Sequence, residues 1–301
     1  MADDTDATGS VAEDAPVSPS AVAPPVDVVE RGPDVEPIAT ATVDESPPFV
    51  YAIGRIEPRF PSPAVEKEFA QAMGRSDTAG LTDPEALKEV VSDRSNRYLV
   101  RQLAWVLTIE GLETYVLVPR DPSDLDLLVD AVRPAPDPAD VDVVVGVRGP
   151  IAPPELAGGL AIPIVIYDQI YSFDTDSLIS AIPRPDGVDE DRFRPAANEL
   201  FSRLIQIADN AGDADEHRAL NYLAVRYPEI YAETARAFER NSSLSAVDVS
   251  PSRLTGARKI VDVVFDYTNR QTDVVESYFA RVDVTEEFPF LVTKLSPYYR
   301  R

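Results

Sequence analysis

The chain has 301 residues, 44% of them apolar, enough for one large domain or two of ordinary size. It carries 28 lysines and arginines against 52 aspartates and glutamates, a formal charge of −24, which argues against unaided binding to nucleic acid or an anionic membrane. With no cysteine and one histidine, His217, it lacks the means for disulfides, thiolate chemistry, iron–sulfur clusters and metal sites built on cysteine or on several histidines.

Residues 1–48 hold eleven acids, one base (Arg31), eight of the 28 prolines and no aromatic residue. Such a stretch cannot bury enough apolar surface to offset its chain entropy, so a disordered, solubilising acidic tail is expected. It lacks the basic start and continuous apolar run of a signal peptide. No window approaches 18 uncharged apolar residues, and the expected location is the cytoplasm.

Order is expected from Phe49. Val50 to Ile53 reads as a strand closed by Gly54. Ser62-Pro63 and Asp83-Pro84 each offer a helix start, followed by the stripes Val65, Phe69, Ala72, Met73 and Leu87, Val90, Val91. Trp105 to Ile109 and Tyr115 to Val118 read as a hairpin turning at Gly111, with Trp105 packing in the core. Ser123 is read as the cap of a helix carrying Leu125, Leu128, Val129 and Val132. The runs 141–147 and 162–170, apolar on both faces, suggest covered strands, and Asp174 caps a short helix through Ile182. An acidic turn at 186–190 marks a boundary.

Three helices open the second half, with Asp213 and Glu216 spaced as a capping box for the second and Pro228 starting the third. After Asn241 the period changes from 3.6 to 2, over 261–267, 278–284 and 291–295. The predicted class is α+β: an acidic tail (1–48), an N-terminal α/β subdomain (49–188), and a C-terminal subdomain (189–301) of helices followed by a mainly antiparallel sheet. Val264 and Phe279 make that sheet apolar on both faces, which calls for two covers, one of them either the first half of the chain or a second copy.

Motifs for phosphate cradles and for serine nucleophiles are absent. The densest polar segment, Asp209 to His217, could in principle form a cation or general-base site, but its spacing fits N-capping acids and lacks the calcium-loop pattern. Arg253, Arg258 and Lys259 form a compact basic spot, read as an exposed hairpin turn. Tyr298 and Tyr299, before Arg300 and Arg301, are read as packing on the last strand. The residues assign no catalytic, cofactor-binding or metal-binding role.

Several blocks resemble a known family. Tyr51-Ala-Ile-Gly-Arg-Ile-Glu-Pro-Arg-Phe-Pro61 and Trp105-Val-Leu-Thr-Ile-Glu-Gly-Leu-Glu-Thr-Tyr115 are similar to the C-terminal domain of the cyanobactin maturation proteases, the PatA and PatG proteins. So are Asp209-Asn-Ala-Gly212, the segment Asp215 to Pro228, Pro251 to Leu254, Lys259 to Asp262 and Val282 to Val292. The likeness spans roughly residues 49–301. Those proteases are multidomain subtilisin-like enzymes whose N-terminal part cleaves or macrocyclises ribosomal precursor peptides. The resemblance implies the appended domain of unknown function, standing alone without the protease part and with no catalytic residue to carry over.

The expected function is a non-catalytic accessory or interaction domain in the maturation of ribosomally made peptide natural products. Expected partners are a peptide-modifying enzyme, a precursor peptide or a second copy, with no cofactor, nucleic acid or membrane. The alternative is a cryptic peptide-modifying enzyme with a cleft around His217, using Asp209, Glu216, His217 and Asn221.

Overall fold

The structure is a computed structural model that describes residues 48–74, 82–254 and 256–299. The expected disordered tail falls, Pro48 aside, outside the described residues, as do Arg300 and Arg301. The first half is built on a strand that serves two neighbours. Strand β1 (Phe49–Arg59) pairs through residues 49–54 with β4 (Asp140–Ile151) and through residues 55–59 with β2 (Ala104–Ile109). The handover falls at Gly54. It does not end the strand, as its sequence context suggests; a Cβ there would sit 2.5 Å from the Thr108 carbonyl oxygen, so glycine lets β2 close in.

From β2 the chain turns at Glu110 and Gly111, both at positive φ (48° and 80°), the geometry of a two-residue hairpin turn, into β3 (Leu112–Pro119). β3 pairs in parallel with β5 (Pro163–Asp174), and β5 pairs antiparallel with β4. The order β1-β2-β3-β5-β4 thus closes on itself as a barrel. The valines of β4 explain its two apolar faces. Val144 belongs to the core shared with β2 and β3, while Val141, Val143 and Val145 face the helices of the second half.

Two excursions decorate the barrel. Between β1 and β2 lie α1 (Pro63–Met73), capped by Ser62, α2 (Asp83–Ser92), whose capping box runs from Thr82 to Glu85, and the short α3 (Arg97–Val100). Between β3 and β4 lies α4 (Leu125–Ala131). Here Ser123 is not the cap: its N–H and hydroxyl both bond Asp121, which starts a 3₁₀ turn ahead of the helix. The indole of Trp105 is buried in this half and donates to the Val100 carbonyl at 3.2 Å. The single turn α5 (Pro154–Ala157) joins β4 to β5.

After β5 come α6 (Thr175–Ala181), capped by Asp174, then α7 (Glu190–Ile205), α8 (Asp215–Arg226) and α9 (Glu229–Glu239). The chain ends in an antiparallel meander of β6 (Ser242–Pro251), β7 (Ile260–Asn269), β8 (Val275–Asp283) and β9 (Phe290–Tyr298). This is the α+β architecture expected, with the antiparallel sheet at the C-terminal end. Strand β6 had no clear pattern in the sequence: it is an edge strand whose Ser245, Ala246, Asp248 and Ser250 are exposed.

One apolar core joins the layers. Tyr51, Ile53 and Val143 on the barrel wall, Leu200, Leu220 and Tyr231 on the helices, and Val263, Phe265 and Val282 on the sheet pack in a single cluster. Burying each large side chain of this kind contributes roughly 1.5–3 kcal/mol. The far face of the sheet is dressed differently. Val264 lies opposite Phe279, whose ring carries Arg281 at 4.8 Å and Tyr298 at 5.7 Å, and Arg281 pairs with Asp262 at 2.8 Å. Among the described residues no helix is long and apolar enough to cross a membrane.

Candidate functional site

Because β1 changes partner at Gly54, each half of the strand leaves one edge without a strand beside it. The two edges meet different fates. On the first, the Tyr51 N–H donates to the Gly212 carbonyl at 2.8 Å, and the Tyr51 carbonyl accepts from Asn221 Nδ2 at 2.8 Å. Asn221 and Asn210, both buried, exchange side-chain hydrogen bonds at 2.7 and 3.1 Å, and the Tyr115 hydroxyl donates to the Ala211 carbonyl at 3.0 Å. The contact is so close that a Cβ on Gly212 (φ 75°) would lie 2.5 Å from the Tyr51 oxygen.

The polar segment singled out in the sequence is therefore the piece that seals this edge. Asn221 takes Asn210 and Tyr51 as partners rather than Glu216 or His217. His217 is half-buried, with Nδ1 lacking a partner among the described residues. Asp209 occupies an exposed turn at φ 59°. The capping box expected of Asp213 and Glu216 does not form. Ala214 is the N-cap of α8, and the Asp213 carboxylate lies 3.8 Å from Arg148. Among the described residues no group of three or more His, Asp or Glu side chains is placed to hold a metal ion.

Beside this seam lies a charged cluster that ties the barrel to the β8–β9 loop. The buried Arg218 donates to the Val284 carbonyl at 2.7 Å and the Glu287 carbonyl at 3.3 Å, reaches Asp215 at 3.4 Å and stacks 5.2 Å over Phe49. Burial pushes its guanidinium below its ordinary value, against the pull of Asp215. Arg120 grips Asp168 with two bonds of 2.5 Å and stands 3.7 Å from Glu287. Burial, helped by the hydrogen bond to Asp168 and its charge, pushes Glu287 up to about 7, opposed by Arg120 and Arg218. Asp168 is pushed up by burial too, but its bonds to Arg120 and Glu287 outweigh that and hold it below the usual carboxylate range. Through Arg120, which contacts both carboxyls, Asp168 and Glu287 link the loop to the barrel.

Two of the three residues of the basic spot, Arg258 and Lys259, have acidic partners. Arg258 pairs with Asp283 and lies 5.2 Å over Phe290, and Lys259 Nζ is 3.6 Å from Asp215.

The second edge of β1 opens onto a cleft. Its Ile56 N–H donates to Asp142 Oδ2 at 2.7 Å. Asp142 is fully buried, and its other oxygen accepts from Ser172 at 2.7 Å and Arg133 at 3.1 Å. Burial pushes this carboxyl up, and the bonds from Ser172, Arg133 and Ile56 resist. Arg133 also bonds the Ala131, Val141 and Phe173 carbonyls and Asp140, and Arg55 bonds the Pro138 and Asp140 carbonyls. With the polar groups of the floor turned on one another, the space above is apolar. It is a cleft of about 570 Å³ between β1, the α1–α2 excursion and the α4–β4 connection, lined by Ile56, Pro58, Phe60, Met73, Leu87 and Val132. Glu57, Asp83, Asp137 and Asp140 stand around it.

A second cavity of about 930 Å³ lies between the barrel and α7, with Thr108, Glu110, Asn198, Ser202 and Gln206 among its lining. Both cavities are lined by Arg55, Glu57 and Asp140, so they adjoin there. The polar cluster around His217 lines neither.

The sequence did not single out the cleft. The available signal was Asp142, a lone acid inside the run Val141 to Val145, since a carboxylate in a strand covered on both faces must be paired or hydrogen-bonded there.

Residues 187–298 match the family model described as PatG C-terminal. The fold is shared with the solved structure titled "PatG Domain of Unknown Function", at 20% identity and a TM-score of 0.69, over 83% of this chain and 98% of that one. The shared fold thus reaches beyond residues 187–298. No curated protein matches the chain.

Proposed function

We propose that this chain is a non-catalytic binding module that works in the maturation of ribosomally made peptides in the cytoplasm, and that the cleft along the second edge of β1 is its binding site. The observation that carries the proposal is the contrast within one strand: the first edge is sealed by the chain itself, and the second is left facing an apolar cleft. Its volume of about 570 Å³ falls in the range of ligand pockets, roughly 300–1,000 Å³. The likeness to a PatG C-terminal region supports the pathway, and the partner is a precursor peptide or the enzyme that modifies it. Against a catalytic use of Asp209, Glu216, His217 and Asn221 stands the engagement of Asn221 in closing the barrel edge.

The test is a titration of the full chain with fluorescein-labelled peptides of mixed sequence, followed by anisotropy, for the native protein and for Val132→Arg. Saturable binding that Val132→Arg removes while the far-ultraviolet circular dichroism stays native is the expected result. Turnover of those peptides, abolished by His217→Ala, would replace the reading with an enzymatic one.

A further inference from the structure

We infer that the occupant of the cleft is an extended peptide that sets a bulky apolar side chain against Ile56, Phe60 and Leu87 and a basic side chain against the acids of the rim. This rests on the binding-module reading and names its ligand class.

The charge argument comes from counting free groups. Five carboxylates (Glu57, Asp83, Asp137, Asp140 and Asp142) and two guanidiniums (Arg55 and Arg133) line the cleft. The guanidiniums are engaged: Arg133 holds Asp140, Asp142 and three backbone carbonyls, and Arg55 holds two more. An anionic ligand would thus meet carboxylates and arginines already satisfied. A cation meets Asp83 and Asp137, both exposed at the lip, with one Asp137 oxygen, Oδ1, already accepting from the Ala139 N–H at 2.8 Å. A desolvated apolar floor with charge at its margin favours a ligand with an apolar body and a positive end, and selects against one carrying a negative charge.

The argument for an extended chain comes from the neighbouring cavity. The two spaces meet at Arg55, Glu57 and Asp140, and the second is the more polar, presenting Asn198 and Ser202 of α7 and Gln206 at its C-cap. Thr108 Oγ1, on a residue lining that second space, is buried and has no hydrogen-bond partner among the described residues. A peptide several residues long can place one apolar side chain in the first space and run its backbone toward the amides and hydroxyls of the second. A compact ligand fills only one.

The experiment uses the full chain and four fluorescein-labelled peptides: an octapeptide alternating Leu and Lys, the same with Glu for Lys, the same with Gly for Leu, and a Leu-Lys tetrapeptide. The Leu-Lys octapeptide should bind at least tenfold more tightly than the Glu or Gly version and more tightly than the tetrapeptide. Asp83→Lys with Asp137→Lys should weaken it tenfold or more. Ser202→Trp, an exposed position on α7, should bring the octapeptide down to the tetrapeptide's affinity. Equal binding of the Lys and Glu octapeptides, or binding unchanged by the double lysine variant, overturns the inference and leaves the binding-module reading standing. If none of the four peptides binds, both fail.

Discussion

The two edges of β1 show how one strand can be closed on one side and left available on the other. On the first edge the chain lays down the turn and helix start from Asn210 to Asn221, and each hydrogen-bonding group of Tyr51's backbone finds a fixed partner. On the second edge the polar groups satisfy one another beneath the surface, through Asp142 and Arg133, and leave apolar side chains around an unfilled space. Polar density marks the sealed edge, and absence of filling marks the candidate site. The lesson is that buried polar residues are first accounted for as satisfiers of backbone groups that strand geometry orphans.

Breaking the sealed edge should give the largest effect. Asn221→Leu leaves the Tyr51 carbonyl and the Asn210 amide buried without their partner, a loss of about 3 kcal/mol at the usual cost of orphaned groups. For a domain of this size that lowers the melting temperature by on the order of 10 °C, read by calorimetry. Gly212→Ala should act in the same direction, because its Cβ has no room beside Tyr51 and Ala52.

The carboxyl pair next to the seam should give a smaller, pH-dependent effect. Glu287 has its folded value raised to about 7, so its proton stabilises the fold below the ordinary range near 4.5, and that contribution is lost as pH rises through about 7. Asp168 is shifted the other way, so its contribution is present above its ordinary value and lost as pH falls below it. Stability should therefore be greatest in mildly acid solution and decline toward pH 8 by about 1 kcal/mol, allowing for solvent screening. Glu287→Gln keeps a neutral donor in place and should flatten the decline above pH 5 in melts collected from pH 4 to 8. An unchanged slope would remove the raised Glu287 carboxyl from the account.

Changes on the open edge should hardly register in stability. Phe60 is 39% exposed and touches Phe69 at a ring distance of 5.2 Å, so Phe60→Ala should cost about 1 kcal/mol while weakening peptide binding severalfold. His217→Ala should move the melting temperature least, by the equivalent of about 0.5 kcal/mol or less, since no partner for Nδ1 is lost. A drop as large as that of Asn221→Leu would place His217 in the seam after all.

Periodicity exposed most of the elements. The 3.6-residue stripes of α7 to α9 and the alternation of β7 and β8 followed directly from which side chains meet the shared core. Closure of the barrel was not legible, because it depends on β1 pairing with two strands far apart in the chain, and Gly54 reads locally as a terminator. β6 was missed because an edge strand needs few apolar residues. The cleft was missed for a related reason: its lining comes from β1, α2 and the α4–β4 connection, and each residue, taken alone, reads as ordinary core. The Asp209–His217 segment was conspicuous yet its role depended on the free Tyr51 edge, which only the strand pairing reveals.

The most direct test of the contrast between the two edges is a methyl-resolved NMR titration of the full chain with the Leu-Lys octapeptide. The account predicts saturating shifts at the methyls of Ile56, Leu87 and Val132, with those of Leu220 and Val284 beside the seam unmoved. Shifts concentrated at Leu220 and Val284, with the cleft methyls silent, would contradict it and make the polar seam the working surface of the protein.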